Sequence, residues 1–346
     1  MPAIAKIGSR PFVAMTLRHD PSRRQFLTAL AGFSGLLSTG APSLVFATGE
    51  KPFPIDIRHA LGTTRIDAEP KRIVTLGWNG EDAVLALGRV PVGMHRYGLF
   101  ERGILPWNEA YLKGQTPELL QSGILDYEAI AVLEPDVILA IKTGINEIEW
   151  QRLSSIAPTV VYASAPWKAD WREQMVLTGL ALGEPKKARD QIEATEKQLR
   201  DLAATHPHLK GKTFIFGSYF PGEGTLGVYF ARDPRVRELV AMGLRLAPGV
   251  EAFMATEPDA NGTGVSLEEL DRFDADVLIV WYGPGARADA EGQPLFKAFG
   301  PVRRGAYIAL DDPVSVWATS AVSVLSIPYA FPDFVERIAA AATKGR

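Results

Sequence analysis

Leu125-Asp-Tyr-Glu-Ala-Ile-Ala-Val-Leu-Glu-Pro-Asp-Val-Ile-Leu-Ala140 returns without a gap as Val265-Ser-Leu-Glu-Glu-Leu-Asp-Arg-Phe-Asp-Ala-Asp-Val-Leu-Ile-Val280, 140 positions downstream. Glu128 falls on Glu268, Asp136 on Asp276 and Val137 on Val277, and the apolar pairs Ile130/Leu270, Leu133/Phe273 and Ile138/Leu278 coincide. Each copy reads as cap, helix, tight turn and strand. Asp126 and Ser266 can accept from the free amides of a first helical turn, and the apolar run that follows suits a buried strand. One such unit is common in α/β proteins; one in each half of the chain favours two lobes related by a pseudo-twofold axis.

Outward from these units, short apolar runs predict strands over 72–77, 91–94, 136–140 and 159–163 in the first half. In the second half they predict strands over 213–218, 276–281 and 306–310. Asn79 is expected to cap a helix over 81–87 that Gly88 stops, with further helices beginning near Asp126 and Asn146. Asp170–Leu182 and Pro185–Thr205 carry helical periodicity with a break at Gly183, and predict a long connecting helix broken once. Later helices are expected over 234–242, 267–273 and 319–343. The alternation predicts α/β lobes with largely parallel sheets: an N-terminal lobe over 48–167, a connector over 168–208 and a C-terminal lobe over 209–346.

With 346 residues, 47% of them hydrophobic and 22% charged, the chain can build two ordinary cores. It contains no cysteine, which excludes disulfides, thiolate catalysis, Cys-ligated zinc, iron–sulfur clusters and Cys-borne lipid anchors. Its 37 basic and 40 acidic residues argue against nucleic acid as a partner, because neutralising phosphates takes a basic face.

Pro21-Ser-Arg-Arg-Gln-Phe-Leu27, followed by an uncharged, moderately apolar stretch, reads as a twin-arginine export signal over 1–47, with cleavage after Val45-Phe-Ala47. Gly32, Gly35, Gly40 and Pro42 interrupt the stretch too often for a membrane anchor. Losing Lys6, Arg10, Arg18, Arg23, Arg24 and Asp20 leaves 32 basic and 39 acidic residues, a net charge of −7. The expected destination is the periplasm, as a soluble, non-lipidated protein.

Ligands of two-lobe α/β proteins sit between the lobes near strand C-termini. Trp78 follows the first strand, Trp281 and Tyr282 end a strand of the second lobe, and Trp107, Tyr219, Tyr229 and Trp317 lie where they could join them. Aromatic walls with polar edges suit a bulky organic chelate. Arg96, Lys142 and Arg232 are candidates for holding anionic oxygens. The mature chain keeps only His59, His95, His206 and His208, and shows no converging set of metal ligands. Gly222-Glu-Gly-Thr-Leu-Gly227 fits a dinucleotide fingerprint in letters, but the strand-like Val228-Tyr-Phe230 follows it where a helix is required, so a hairpin is expected. No nucleophile elbow, P-loop or H-E-x-x-H string occurs, and no catalytic residue is assigned.

Pro70-Lys-Arg-Ile-Val-Thr-Leu-Gly-Trp78, Ala83–Gly93, the two echoed units, and Val316-Trp317 with the C-terminal helices resemble the periplasmic substrate-binding proteins of ABC importers for iron–siderophores, haem and cobalamin. The resemblance implies the class III, helical-backbone fold, two Rossmann-like lobes joined by a long connecting helix. It implies a monomeric, non-catalytic carrier with no resident cofactor or metal, whose ligand is a ferric siderophore, with haem or cobalamin as the alternative and an exported α/β enzyme ranked below both. Its partner would be the dimeric transmembrane permease of an ABC importer, whose arginines Glu128 and Glu268 would meet. The cleft arginine of the family's ferric-hydroxamate binders falls opposite Ser122, and their second-lobe cleft Trp near Ala260, so citrate-type, mixed and catecholate siderophores stay open beside hydroxamates.

Overall fold

The computed structural model describes residues 53–345 apart from 122, 223, 258 and 259, so the segment expected to direct export and Ser122 lie outside the described residues. A β-hairpin of β1 (Ile55–His59) and β2 (Gly62–Ile66) precedes the first sheet. That sheet is built from β3 (Ile73–Thr75), β4 (Gly93–His95), β5 (Glu118–Leu120), β6 (Val137–Ala140) and β7 (Thr159–Val161), with α1 (Gly80–Ala86), α2 (Tyr127–Val132) and α3 (Glu147–Ser154) between strands. All its pairings are parallel, in the order β5-β4-β3-β6-β7. The order reverses between β3 and β6, and the crevice for a ligand opens beyond the C-terminal ends of the strands at such a point.

Next come α4 (Trp171–Ala181) and α5 (Pro185–Thr205). Asp170 caps α4 by accepting from the Glu173 amide at 2.8 Å, and Pro185 opens α5, where its missing N–H goes unneeded. The two helices pack on each other, α4 also against α1 and β1, and α5 against the last helix. The break at Gly183 is thus a turn between two packed helices, and the 21-residue α5 is the long connector.

The second sheet contains β8 (Thr213–Tyr219), β9 (Thr225–Tyr229), β10 (Arg245–Leu246), β11 (Gly262–Ser266), β12 (Val277–Tyr282) and β13 (Tyr307–Leu310). Its order is β11-β9-β8-β12-β13, with β10 on β8; β8, β10, β12 and β13 are parallel, while β9 pairs antiparallel with both β8 and β11. Gly222–Gly227 therefore belongs to the β8–β9 hairpin, as its context implied. The accompanying helices are α6 (Pro234–Ala241), α7 (Pro248–Thr256), α8 (Ala286–Gly292), α9 (Pro294–Ala298), α10 (Gly300–Arg304), α11 (Pro313–Ser320) and α12 (Ser326–Ala342). The molecule is an α/β protein of the two-lobed class III architecture, and its buried apolar side chains form one contiguous cluster.

The echoed units occupy equivalent places. α2 leads into β6, and a 3-10 helix over Leu267–Phe273, where an α-helix was expected, leads into β12. Ile130, Leu270 and Phe273 are buried, as are β6 and all of β12 but Trp281. The echoed aspartates share a job: Asp136 accepts from the Lys71 and Arg72 amides at 2.8 Å each, and Asp276 from the Thr213 amide and hydroxyl, also at 2.8 Å. Each pins the entry of the neighbouring strand, β3 or β8, through bonds worth about 0.5–1.5 kcal/mol apiece.

Two expectations need correction. Asn79 precedes α1 but does not cap it: its backbone is left-handed (φ 54°), and its amide instead donates to the Ala321 carbonyl at 2.5 Å and to Asp82 at 3.4 Å. The helix expected over 319–343 is two helices, split at 321–325 where Ala321 and Ser323 reach across to Asn79 and Asp82.

Candidate functional site

The switch point of the first sheet places Trp78 and Lys142 side by side. Each lies two or three residues beyond its strand, and the Trp78 amide donates to the Lys142 carbonyl at 3.2 Å. Gly77, between β3 and Trp78, has φ +84°, and a Cβ there would stand 2.3 Å from that same carbonyl, so only glycine admits the two segments so close. Gly144 does the same for Trp167, whose indole nitrogen would stand 2.1 Å from an added Cβ.

These close approaches assemble aromatic rings. Trp78 lies 5.7 Å from Trp167 and 5.2 Å from Trp317 on α11, and Trp317 lies 5.0 Å from Tyr97. Trp78 and Trp317 are half-buried and Trp167 is 49% exposed, so open ring face remains. In the second lobe, Trp281 donates its indole N–H to the Tyr229 hydroxyl at 2.9 Å and stands 5.2 Å from Phe220. The Arg235 guanidinium sits 4.3 Å above the Tyr229 ring and is bonded to Asp233, which caps α6. Lys168 bridges to Asn261 of the second lobe.

The charges of this seam are unusual. Lys142 is 4% exposed, and its ammonium has no hydrogen-bond partner. Burial, then the positive charge of Arg235, pull its pKa down to about 8, against the opposing pull of Asp233, Asp170 and Asp82. The Arg235 Nε is likewise buried without an acceptor.

Beneath Trp78 lies a buried acidic pair, Glu81 and Asp82, both fully enclosed. Asp82 accepts from the Trp107 indole at 2.8 Å and from the Ser323 hydroxyl, and Glu81 accepts from the Asn108 amide at 3.2 Å. Desolvation, and then the charge of Asp82, raise the Glu81 pKa well above the usual carboxylate range. Asp82 is also raised by burial, though the bonds from Ser323, Trp107, Asn108 and Asn79 oppose this. Ser323 on Asp82, with the Ala321 carbonyl on Asn79, fastens the start of α1 to the α11–α12 joint.

Of the residues singled out in the sequence, Trp78 packs beside Trp317 and is bonded to Lys142, and Trp281 is bonded to Tyr229. Trp107, Tyr219 and Tyr282 are buried and otherwise engaged: Trp107 is 3% exposed, with its N–H spent on Asp82, Tyr219 bonds Asp289 at 2.7 Å, and the Tyr282 hydroxyl pairs with that of Tyr307. Arg96 is half-buried beside the Gly103 turn, and Arg232 is exposed just ahead of Asp233. Glu128 and Glu268 are both exposed, each in the first turn after its cap. Sequence reasoning missed Arg235 and Trp167; the Asp233-Pro234 cap-and-start signal directly before Arg235 could have drawn attention to it. Among the described residues no group of three or more metal-ligating side chains converges.

Known proteins resemble the chain in sequence and in fold. The chain is 29% identical over 277 residues to the probable siderophore-binding lipoprotein YfiY of Bacillus subtilis, covering 76% of this chain and 82% of that protein. It also resembles the crystal structure of Streptococcus pneumoniae PiaA in complex with ferrichrome, at 29% identity and a TM-score of 0.74, over 84% of this chain and all of that one. Staphylococcus aureus SirA, solved with staphyloferrin B, matches in fold with a TM-score of 0.68 at 21% identity, over 82% of this chain and 98% of that one. Residues 73–293 match the periplasmic binding protein family, and the chain belongs to that family of binding proteins rather than to the enzymes.

Proposed function

We propose that this protein captures a ferric siderophore between its lobes and delivers it to the permease of an ABC importer. The observation that carries the reading is the cluster of partly open aromatic rings, Trp78, Trp167 and Trp317, beyond the strand ends at the switch point of the first sheet. Such a wall matches a bulky, partly apolar chelate, which brings its own iron ligands. The names of the relatives agree: a siderophore-binding lipoprotein, and a protein solved with ferrichrome.

In this reading Trp78, Trp167, Lys142, Tyr229, Trp281 and Trp317 line the ligand, and Glu128 and Glu268 dock the permease. The lobes comprise residues 48–167 and 209–346, with 168–208 as the connector. Segment 1–47 directs twin-arginine export to the periplasm, and the 346 residues contain no cysteine to carry a lipid of the kind the name of the Bacillus relative implies. No helix among the described residues is long and apolar enough to cross a membrane.

Titration of intrinsic tryptophan fluorescence tests this. Ferric siderophores are expected to quench it saturably at one site while the iron-free forms do not; haem and cobalamin belong in the same series. Failure of every ferric chelate to bind removes the reading.

A further inference from the structure

The two echoed units agree in their buried residues and differ in the exposed ones around Glu128 and Glu268. On α2, Ala131 and Val132 stand three and four positions after Glu128 and share its exposed face, and Ile124 is exposed just ahead of the Asp126 cap. Val132 and Ile124 are 80% and 75% exposed, more than any other large apolar side chain among the described residues. Their counterparts in the second unit are Asp271, Arg272 and Gly264, all exposed, with Arg272 bonded to Glu269 at 2.8 Å. Glu128 is thus set among apolar side chains and Glu268 among small and charged ones. The contrast extends along the strand ends. Ile148, also exposed, lies in the first turn of α3 beyond the C-terminal end of β6, whereas the turns that follow β8, β12 and β13 hold no exposed large apolar side chain among the described residues. Apolar groups gathered on one open face forgo the gain that burial brings and mark a surface of contact.

We propose, resting on the carrier reading above, that the two lobe tips are not interchangeable: Ile124, Ala131 and Val132 form an apolar anchor around Glu128 that seats the first lobe on the permease, while Glu268 is held by charge alone, so the carrier docks in one orientation. The permease is the occupant because a carrier releases its ligand through the crevice beyond the C-terminal strand ends of the first sheet, the end at which Ile124 follows β5. An exposed carboxylate calls for a cation, and the apolar side chains beside it call for an apolar rim around that cation, which sheds water as the surfaces close. The half of the permease that receives the first lobe is expected to offer both, and the half that receives Glu268 a polar surface. Turned half a circle, the carrier would press Asp271 and Arg272 on the apolar half and leave Ile124 and Val132 on the polar one, which disfavours that orientation twice.

The experiment restores a strain lacking this gene with the full-length wild type, Ile124→Ser/Val132→Ser, the same pair with Gly264→Ile added, and Leu295→Ser. Uptake of radioactive iron is measured with ferrichrome, ferric citrate, ferric staphyloferrin B and ferric enterobactin, alongside fluorescence titrations, thermal melts and sedimentation of the purified proteins. The expected result is that Ile124→Ser/Val132→Ser lowers uptake of the chelate that binds by about tenfold or more, at unchanged chelate affinity and melting temperature. Gly264→Ile moves an apolar side chain to the other tip, where an added Cβ meets nothing closer than 3.9 Å, and is expected not to restore uptake. Leu295→Ser removes an exposed apolar side chain on α9 and is expected to take up iron like the wild type. Wild-type uptake by Ile124→Ser/Val132→Ser, rescue by Gly264→Ile, or an equal loss in Leu295→Ser overturns the proposal. So does a wild-type dimer in sedimentation that Ile124→Ser/Val132→Ser dissolves, which would give the patch to a second copy of the chain. In those outcomes the carrier reading survives; if no chelate binds the wild type, both fall together.

Discussion

Replacing Glu81 by glutamine isolates the cost of enclosing an acid beside an acid. Glu81 and Asp82 are neighbours on α1, neither touches solvent, and one oxygen of each lacks a hydrogen-bond partner. Desolvation and the adjacent charge make the folded protein hold a proton on Glu81 that the unfolded chain releases. Near pH 4 both states carry the proton, and the group exacts no penalty. Between pH 5 and 7 only the folded state carries it, so the unfolded state binds fewer protons and stability falls with rising pH, by about 1.4 kcal/mol per unit. The Glu81→Gln side chain imitates the protonated acid, retains the acceptor for Asn108 and cannot titrate.

Urea unfolding of both proteins at pH 5, 6 and 7, followed by tryptophan emission and far-ultraviolet circular dichroism, measures the difference. The variant is expected to gain steadily on the wild type between pH 5 and 7, by on the order of a few kcal/mol in all. Titrating groups remote from the Glu81–Asp82 pair are common to the two proteins and cancel. A stability difference independent of pH would refute the reasoning, since it would mean that Glu81 ionises alike in both states.

Glu128→Arg and Glu268→Arg should leave chelate affinity near the wild-type value in titrations yet abolish iron uptake by cells, because both side chains are exposed at helix starts; uptake that survives both changes ends the docking assignment. Gly77→Ala should cost about 2 kcal/mol or more in urea unfolding, from the left-handed backbone and the 2.3 Å approach to the Lys142 carbonyl, and should weaken chelate binding by displacing Trp78. Glu238→Ala should cost about 3–5 kcal/mol, because it strips the buried acceptor that the Trp171 indole (3.0 Å) and Arg172 (2.8 Å) share. Adding Arg172→Met should recover part of that loss in the same assay.

The elements that build each lobe were legible because their signals are local. Asp126, Asn146 and Ser266 announce helices, and β-branched runs announce strands at positions the structure shifts by only a residue or two. Repetition of one such unit conveyed the two-lobed plan. What escaped depends on partners remote in the chain. Asn79 resembles any N-cap until Ala321, 242 positions away, claims its amide. The break between α11 and α12 follows from the same contact, although Pro328 in the first turn of α12 did mark a helix start. The site was half legible: Trp78 and Lys142 follow strands that could be read, whereas Arg232, Arg235 and Arg237 look alike until burial singles out Arg235. Trp107 and Tyr219 were candidates on chemistry alone, and packing gave them other work.

The crossing of residues 321–323 to Asn79 and Asp82 also governs the order in which the protein can mature. The first sheet is complete by Val161, yet Asp82 and Asn79 lack the hydroxyl and carbonyl that satisfy them until residues 321–323 have been synthesised. A nascent N-terminal lobe must therefore wait half-finished, and chains truncated before Ala321 should aggregate or be degraded, however intact their first 160 residues.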